Sequence, residues 1–234
     1  MLKYVPILLL AVVLISCGDD SDPVNTQTDT FIQPKEGSFF NYDEYNIDTI
    51  KSERIPTSTD TSTETFVKTG MTYMGKTNVS MIVTSNKYGL DTSYFNYESN
   101  NDVSYNATFG DEPAKWYTVP LFSKTTTTKV VWDTTNPNPQ QGEATHSSGN
   151  VTISYIGNEA MIYKGQSVNV LKIKQIITFI YVYPNETETY TINAFAYYAP
   201  SLGYFLKREI PVMTNENGEK EDGNVSNLVN HHLQ

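Results

Sequence analysis

The architecture of this chain is written most clearly in Val168-Asn-Val-Leu-Lys-Ile-Lys-Gln-Ile-Ile-Thr-Phe-Ile-Tyr-Val-Tyr183 and, after Pro184-Asn-Glu186, in Thr187-Glu-Thr-Tyr-Thr-Ile-Asn-Ala-Phe-Ala-Tyr-Tyr-Ala199. Successive side chains of a strand point to opposite faces. In the first segment Leu171, Ile173, Ile177, Phe179 and Tyr181 share one face, against Lys172, Lys174 and Thr178 on the other. Ile176, Ile180 and Val182 make its second half apolar on both faces. In the second segment Tyr190, Ile192, Ala194, Ala196 and Tyr198 oppose Thr187, Thr189, Thr191 and Asn193. The turn chemistry at Asn185-Glu186 makes the two a hairpin with one buried face. Both segments exceed the roughly 3–10 residues of an ordinary strand, and long strands joined by short turns suit a strongly curved sheet.

The same pattern recurs on either side. Strand-like runs are Phe39–Ile50, Thr63–Met74, Thr77–Ser85, Asp91–Glu98, Asp102–Phe109, Phe122–Thr134, Asn150–Gly157 and Gly203–Met213, with a last strand over Gly218–Leu233. Gly75-Lys76 and Asn100-Asn101 mark tight turns, and no room exists for the crossovers that parallel strands need. Thr135–Ser148, with Asn-Pro-Asn-Pro-Gln-Gln-Gly, reads as a loop. The expectation is an all-β domain over residues 37–234: a single antiparallel, strongly curved sheet forming an open half-barrel of about ten or eleven strands. A β-sandwich is the alternative.

Composition agrees and narrows the chemistry. The 234 residues include 17 Tyr and 10 Phe but only 18% charged residues, a balance that favours pleated surfaces over helices. The net charge of −10 and pI near 4.7 exclude a nucleic-acid partner, which needs a basic face. One cysteine rules out a disulfide framework or a four-Cys zinc site.

That cysteine has a different context. Lys3 precedes the apolar run Val5–Ile15, too short for the roughly 20 residues of a membrane-spanning helix and typical of a secretory signal. Leu14-Ile15-Ser16-Cys17 resembles the bacterial lipobox. The resemblance implies a signal peptide over residues 1–16, cleavage before Cys17, and acylation of Cys17 as a membrane anchor. Gly18–Thr30 carries four Asp and one aliphatic residue, so residues 17–36 read as the lipidated Cys and a flexible acidic tether. Asp19, Asp20 and Asp22 are similar to signals that send lipoproteins to the outer face of the outer membrane. Periplasmic face and cell surface both stay open. Loss of Lys3 with the signal moves the net charge from −10 to −11, so the body is repelled by anionic head groups.

Two further stretches, Tyr197-Tyr-Ala-Pro-Ser-Leu-Gly-Tyr-Phe-Leu-Lys-Arg-Glu-Ile210 and Gly37-Ser-Phe-Phe-Asn-Tyr-Asp-Glu-Tyr-Asn-Ile47, resemble segments of LolA-, LolB- and LppX-like half-barrel lipoproteins. Ser201 stands where that pattern usually has Gly. The resemblance implies an open antiparallel sheet curled around an apolar groove and closed by short helices, with Asp111–Tyr117 as the candidate helix. It also implies carriage of lipid or lipoprotein.

Catalytic signals are sparse. His146 lies in the Asn/Pro/Gln loop, and adjacent His231 and His232 point to opposite sides of a strand, a poor metal clamp. There is no Gly-x-Ser-x-Gly elbow, Walker loop or His-Glu-x-x-His. Asp43 and Glu44 fall on opposite faces, and Glu186 and Glu188 flank a hairpin turn. No enzyme, cofactor or metal is expected. Asp48-Thr49-Ile50 and Asp133-Thr134-Thr135 are similar to acceptors of a bacterial O-glycosylation system, making Thr49 and Thr134 candidate sites. The expected function is a non-enzymatic envelope lipoprotein that holds a lipid or acyl chain on the apolar face of Leu171, Ile173, Ile177, Phe179, Tyr190, Ile192 and Tyr198. The alternative is a glycan- or protein-binding module displaying Tyr94, Tyr97, Trp116 and Trp132.

Overall fold

A computed structural model describes residues 31–108, 112–214 and 220–234. The expected signal, the lipobox and Cys17 lie outside the described residues. The strands are β1 (Phe39–Ile47), β2 (Asp60–Tyr73), β3 (Lys76–Asn86), β4 (Gly89–Tyr97), β5 (Val103–Ala107), β6 (Lys115–Val119) and β7 (Thr126–Thr135). They continue with β8 (His146–Tyr163), β9 (Gln166–Val182), β10 (Thr187–Ala199), β11 (Tyr204–Ile210), β12 (Met213–Thr214), β13 (Lys220–Glu221) and β14 (Gly223–His232). Twelve form one antiparallel sheet in the order β6-β5-β4-β3-β2-β1-β14-β11-β10-β9-β8-β7, while β12 and β13 pair separately. The sheet curls until its two edges nearly meet. It is a single curved sheet, as the strand lengths require, and not a sandwich.

One expectation is corrected. Of the segment assigned to a plugging helix, Asp111–Tyr117, Asp111 lies outside the described residues and Lys115–Tyr117 belong instead to β6, with Tyr117 opposite Tyr105. Tyr117 and Val119 are buried while Trp116 and Thr118 are half-exposed, a period of two that a helix cannot use. Among the described residues the only helical element is the 3-10 turn Pro56–Ser58.

The curl has identifiable causes. Register shifts interrupt the ladders at Asn41/Tyr42, Val130/Trp132, Tyr155/Gly157 and Tyr197/Tyr198. Each extra residue bends its strand and increases the local twist. Gly157, with φ near 147°, lets β8 run through its bulge and reach 18 residues, well beyond the expected Asn150–Gly157. At the seam between the edges the closure is by side chains. Thr127 Oγ1 donates to the Thr118 carbonyl at 2.9 Å, Lys129 Nζ to the Trp116 carbonyl at 2.7 Å, and Lys115 Nζ to the Val131 carbonyl. These bonds occupy edge carbonyls that would otherwise template pairing with another chain.

One end of the barrel is filled with rings. Phe40, Phe66, Phe95, Tyr97, Tyr198, Tyr204 and Phe205 pack there with edge-on or tilted contacts at centroid distances of 4.7–5.9 Å. Two of the buried phenols at this end keep partners: Tyr42 donates to the Phe205 carbonyl at 2.8 Å and Tyr97 to that of Gly203 at 3.0 Å. The chain is docked here well ahead of Gly37. Phe31 packs against Tyr97, Phe122 and Tyr198, and Ile32 N–H donates to the Pro200 carbonyl at 3.0 Å. The C-terminus joins them, with Gln234 N–H donating to Ser38 Oγ at 3.1 Å. Among the described residues every strand lies at Phe39 or beyond, so a chain started at Gly18 retains the whole described sheet.

Candidate functional site

The hairpin β9–β10 supplies the wall of two successive cavities. Its register places Tyr198 across from Leu171, Ala196 from Ile173, Ala194 from Gln175, Ile192 from Ile177 and Tyr190 from Phe179. All ten residues share the inner face, because cross-strand partners and alternate residues point the same way. Leu171 and Tyr198 are buried in the ring-filled end and line neither cavity. Ile173 lines an interior cavity of about 480 Å³ with Phe95, Val119, Ile153, Ala194 and Ala196. Ile177 lies partly buried against the core between the two cavities. Phe179, Tyr190 and Ile192 line a second cavity of about 790 Å³ at the open end.

The interior space exists because β10 changes side-chain size along one face. Tyr198 fills its share of the barrel, but Ala194 and Ala196 present only a methyl each where larger neighbours stand on the next strand. A cavity of this size lies within the 300–1,000 Å³ of small-molecule sites, which are mostly apolar with a few fixed polar groups. Here the polar lining includes Gln175, Tyr105, Glu209 and the pair Glu64 and Arg208. Tyr105 reaches across from β5 and donates to Gln175 Oε1 at 3.1 Å, and burial pushes its phenol above the ordinary range. Arg208 Nη2 donates to Glu64 Oε1 at 2.6 Å while its guanidinium lies 4.6 Å from the Tyr42 ring centre. Burial works against the Arg208 charge, but the Glu64 carboxylate outweighs it and holds the guanidinium protonated above its usual value. Glu64 retains 6% of its side-chain exposure and Arg208 34%, so the pair meets the cavity through arginine. Glu64 Oε2 has no well-formed hydrogen bond among the described residues. The neighbouring Tyr204 phenol is pushed up by burial first and by this carboxylate second.

The mouth is aromatic and acidic. Tyr181 and Tyr183 continue the inner face of β9, and Glu188 stands directly across from Tyr181. Glu188 Oε2 accepts from Tyr190 at 2.9 Å and from Tyr183 at 3.5 Å. Tyr181 and Tyr190 meet edge-on at 6.0 Å. Glu188 therefore belongs to the lining and not to a solvent-exposed turn; its parity with Tyr190 and Ile192 was the available signal. Trp132 closes the neighbouring wall, stacked on Phe179 at 5.3 Å across Gly149, where a Cβ would meet the indole at 2.5 Å.

The four aromatics considered for display are divided by the fold. Tyr97 is buried and Trp132 is folded inward onto Phe179. Tyr94 and Trp116 gather with Tyr73 on the outer face, Tyr73 stacked on Tyr94 at 3.7 Å and edge-on to Trp116 at 6.3 Å. Thr134 is exposed near the end of β7, and Thr49 is half-buried in the turn after β1, its N–H donating to Asp222 Oδ1 at 3.2 Å. The histidines do not converge: His146 lies 3.3 Å from Asp133 at the open end, and His231 pairs with the Tyr163 hydroxyl at 2.7 Å at the other. Among the described residues no group of three or more His, Cys, Asp or Glu is placed to hold a metal ion.

No protein-family profile matches the chain, and no curated protein sequence does. Two solved structures are similar in shape. One is a protein from Parabacteroides distasonis assigned as a lipoprotein, at 13% identity, with 87% of this chain and 99% of that one covered and a TM-score of 0.45. The other is a Bacteroides fragilis protein classed as exported, with a YmcC-like fold, at 13% identity, the same coverage and a TM-score of 0.43.

Proposed function

We propose that this protein is a lipid-anchored component of the bacterial cell envelope that holds an apolar small molecule or acyl chain inside its barrel and catalyses no reaction on it. The observation that carries the reading is the continuous inner face of β9 and β10, which runs from the mouth through Ile177 to the interior cavity. The apolar run ending at Cys17 and the acidic stretch after it support the anchor and the outer-membrane location. A second reading rests on the outer cluster of Tyr73, Tyr94 and Trp116, whose rings suit the apolar face of a sugar.

Two measurements test the first reading. The chain from Gly18 onward, purified from bacteria without detergent and examined by native mass spectrometry, is expected to carry a co-purifying lipid that organic extraction removes. A uniformly ligand-free protein that also fails to take up fatty acid or phospholipid would reject the carrier. For the anchor, Cys17→Ala in the full chain is expected to abolish labelling by a clickable palmitate and leave the precursor uncleaved. Undiminished labelling of that variant would reject acylation at Cys17.

A further inference from the structure

We propose that the mouth of the barrel recognises an alkylammonium head group, a primary or quaternary amine carried on an apolar tail. The tail's place in the interior rests on the function proposed above; the head-group site stands on its own geometry. Tyr181, Tyr183 and Tyr190 line the mouth on the inner face of one hairpin, and the Glu188 carboxylate lies among them. Tyr190 donates its hydroxyl to Glu188 Oε2 at 2.9 Å and the Tyr183 hydroxyl lies 3.5 Å from the same oxygen, so both rings gather at the carboxylate. Glu221 adds a second carboxylate to the lining, and among the described residues no Lys or Arg lines this cavity. Ring faces and carboxylates are both negative, so they attract the same ligand: an organic cation with methyl or methylene groups to desolvate. An anionic head group would meet repulsion from Glu188 and Glu221, and a neutral one would leave their charge unanswered.

The same surface excludes a bare metal ion as the natural occupant. The rings flanking Glu188 offer π faces and hydroxyls already committed to it, where a hard cation wants several oxygens. Beyond the head group the lining turns apolar at Phe179 and Ile192, and the stripe continues through Ile177 to Ile173 and the two alanines. Below the carboxylates the wall is therefore apolar through Phe179, Ile192 and Ile177, before Gln175 and the Glu64–Arg208 pair of the interior cavity, which is the order a short-tailed ammonium amphiphile needs.

The test is calorimetric titration of the chain from Gly18 onward with octyltrimethylammonium, octanol, octanoate and tetramethylammonium. Octyltrimethylammonium is expected to bind at least about ten-fold more tightly than octanol, with octanoate weakest. Glu188→Gln, which keeps the shape and removes the charge, should erase that preference. Tyr181→Leu should weaken the ammonium several-fold, and thermal melts of both variants check that the fold is intact. Equal binding of octyltrimethylammonium and octanol, or tighter binding of octanoate, would overturn the head-group site while leaving the apolar cavity standing. Glu188-dependent binding of tetramethylammonium with no gain from the octyl chain would support the head-group site and count against the tail's cavity. Binding of none of the four would overturn both.

Discussion

Arg208→Met is expected to cost about 3 kcal/mol of stability, the lower part of the range for breaking a buried pair, because the cavity side of the guanidinium is already partly solvated. The loss comes less from the missing attraction than from what remains. Glu64 keeps 6% of its side-chain exposure, and without the arginine its charge has no compensation inside the barrel. Glu64→Gln should cost less, since Arg208 retains its exposed edge and its contact with the Tyr42 ring. The double variant, with neither charge, should recover most of the deficit. Urea unfolding of the four proteins gives the coupling directly, and a coupling below about 0.5 kcal/mol would show that the two residues act independently.

Gly203→Ala is expected to cost roughly as much, about 3 kcal/mol, by another route. Gly203 has φ near 67°, a conformation that penalises any side chain by about 1 kcal/mol or more. An added Cβ would also lie 2.0 Å from the Ile32 carbonyl oxygen and 2.7 Å from Pro34 Cδ. Backbone cannot retreat from such contacts as a flexible side chain can, so the N-terminal segment must leave. Phe31 then gives up its ring packing, with roughly 1.5–3 kcal/mol at stake for a fully buried Phe. Two readouts isolate this cause. The Ile32 amide, bonded to Pro200 in the native protein, should exchange rapidly, and trypsin should cut after Lys35. A protected Ile32 amide in the variant would reject the mechanism.

These residues show what was readable before the fold was known. The hairpin Thr187–Ala199 and its partner strand follow from strict alternation, because one face is buried and a one-residue slip would invert it. β6 was hidden by its five residues, too short for a period to declare itself against a helix. β8 was underestimated because Gly157 looks like a strand end, while its positive φ serves a bulge within the strand. At the site, Ile173, Phe179, Tyr190 and Ile192 stand out as large apolar residues on a common face. Ala194 and Ala196 do not, since a cavity is made by what is absent from a position, and absence has no sequence signature until the opposite wall is known. Glu64 and Arg208 are 144 residues apart, and neither their alternation nor their neighbours announces the pairing. The docking of residues 31–34 is silent in the sequence for a similar reason: Phe31 and Pro34 gain their contacts only from Gly203 and the rings around it.

The strand order also has a kinetic meaning. β1 to β6 form one local meander and β7 to β11 another, each buildable from neighbours in the chain. In the backbone ladder of the described sheet the two halves are joined only through β14, which pairs with β1 on one side and β11 on the other. Residues 223–232 are therefore the keystone of the sheet, and their bonds to β1 close the longest loop in the molecule. Each meander can assemble early and wait, but the enclosed interior comes into being only when the last ten-residue strand arrives between them.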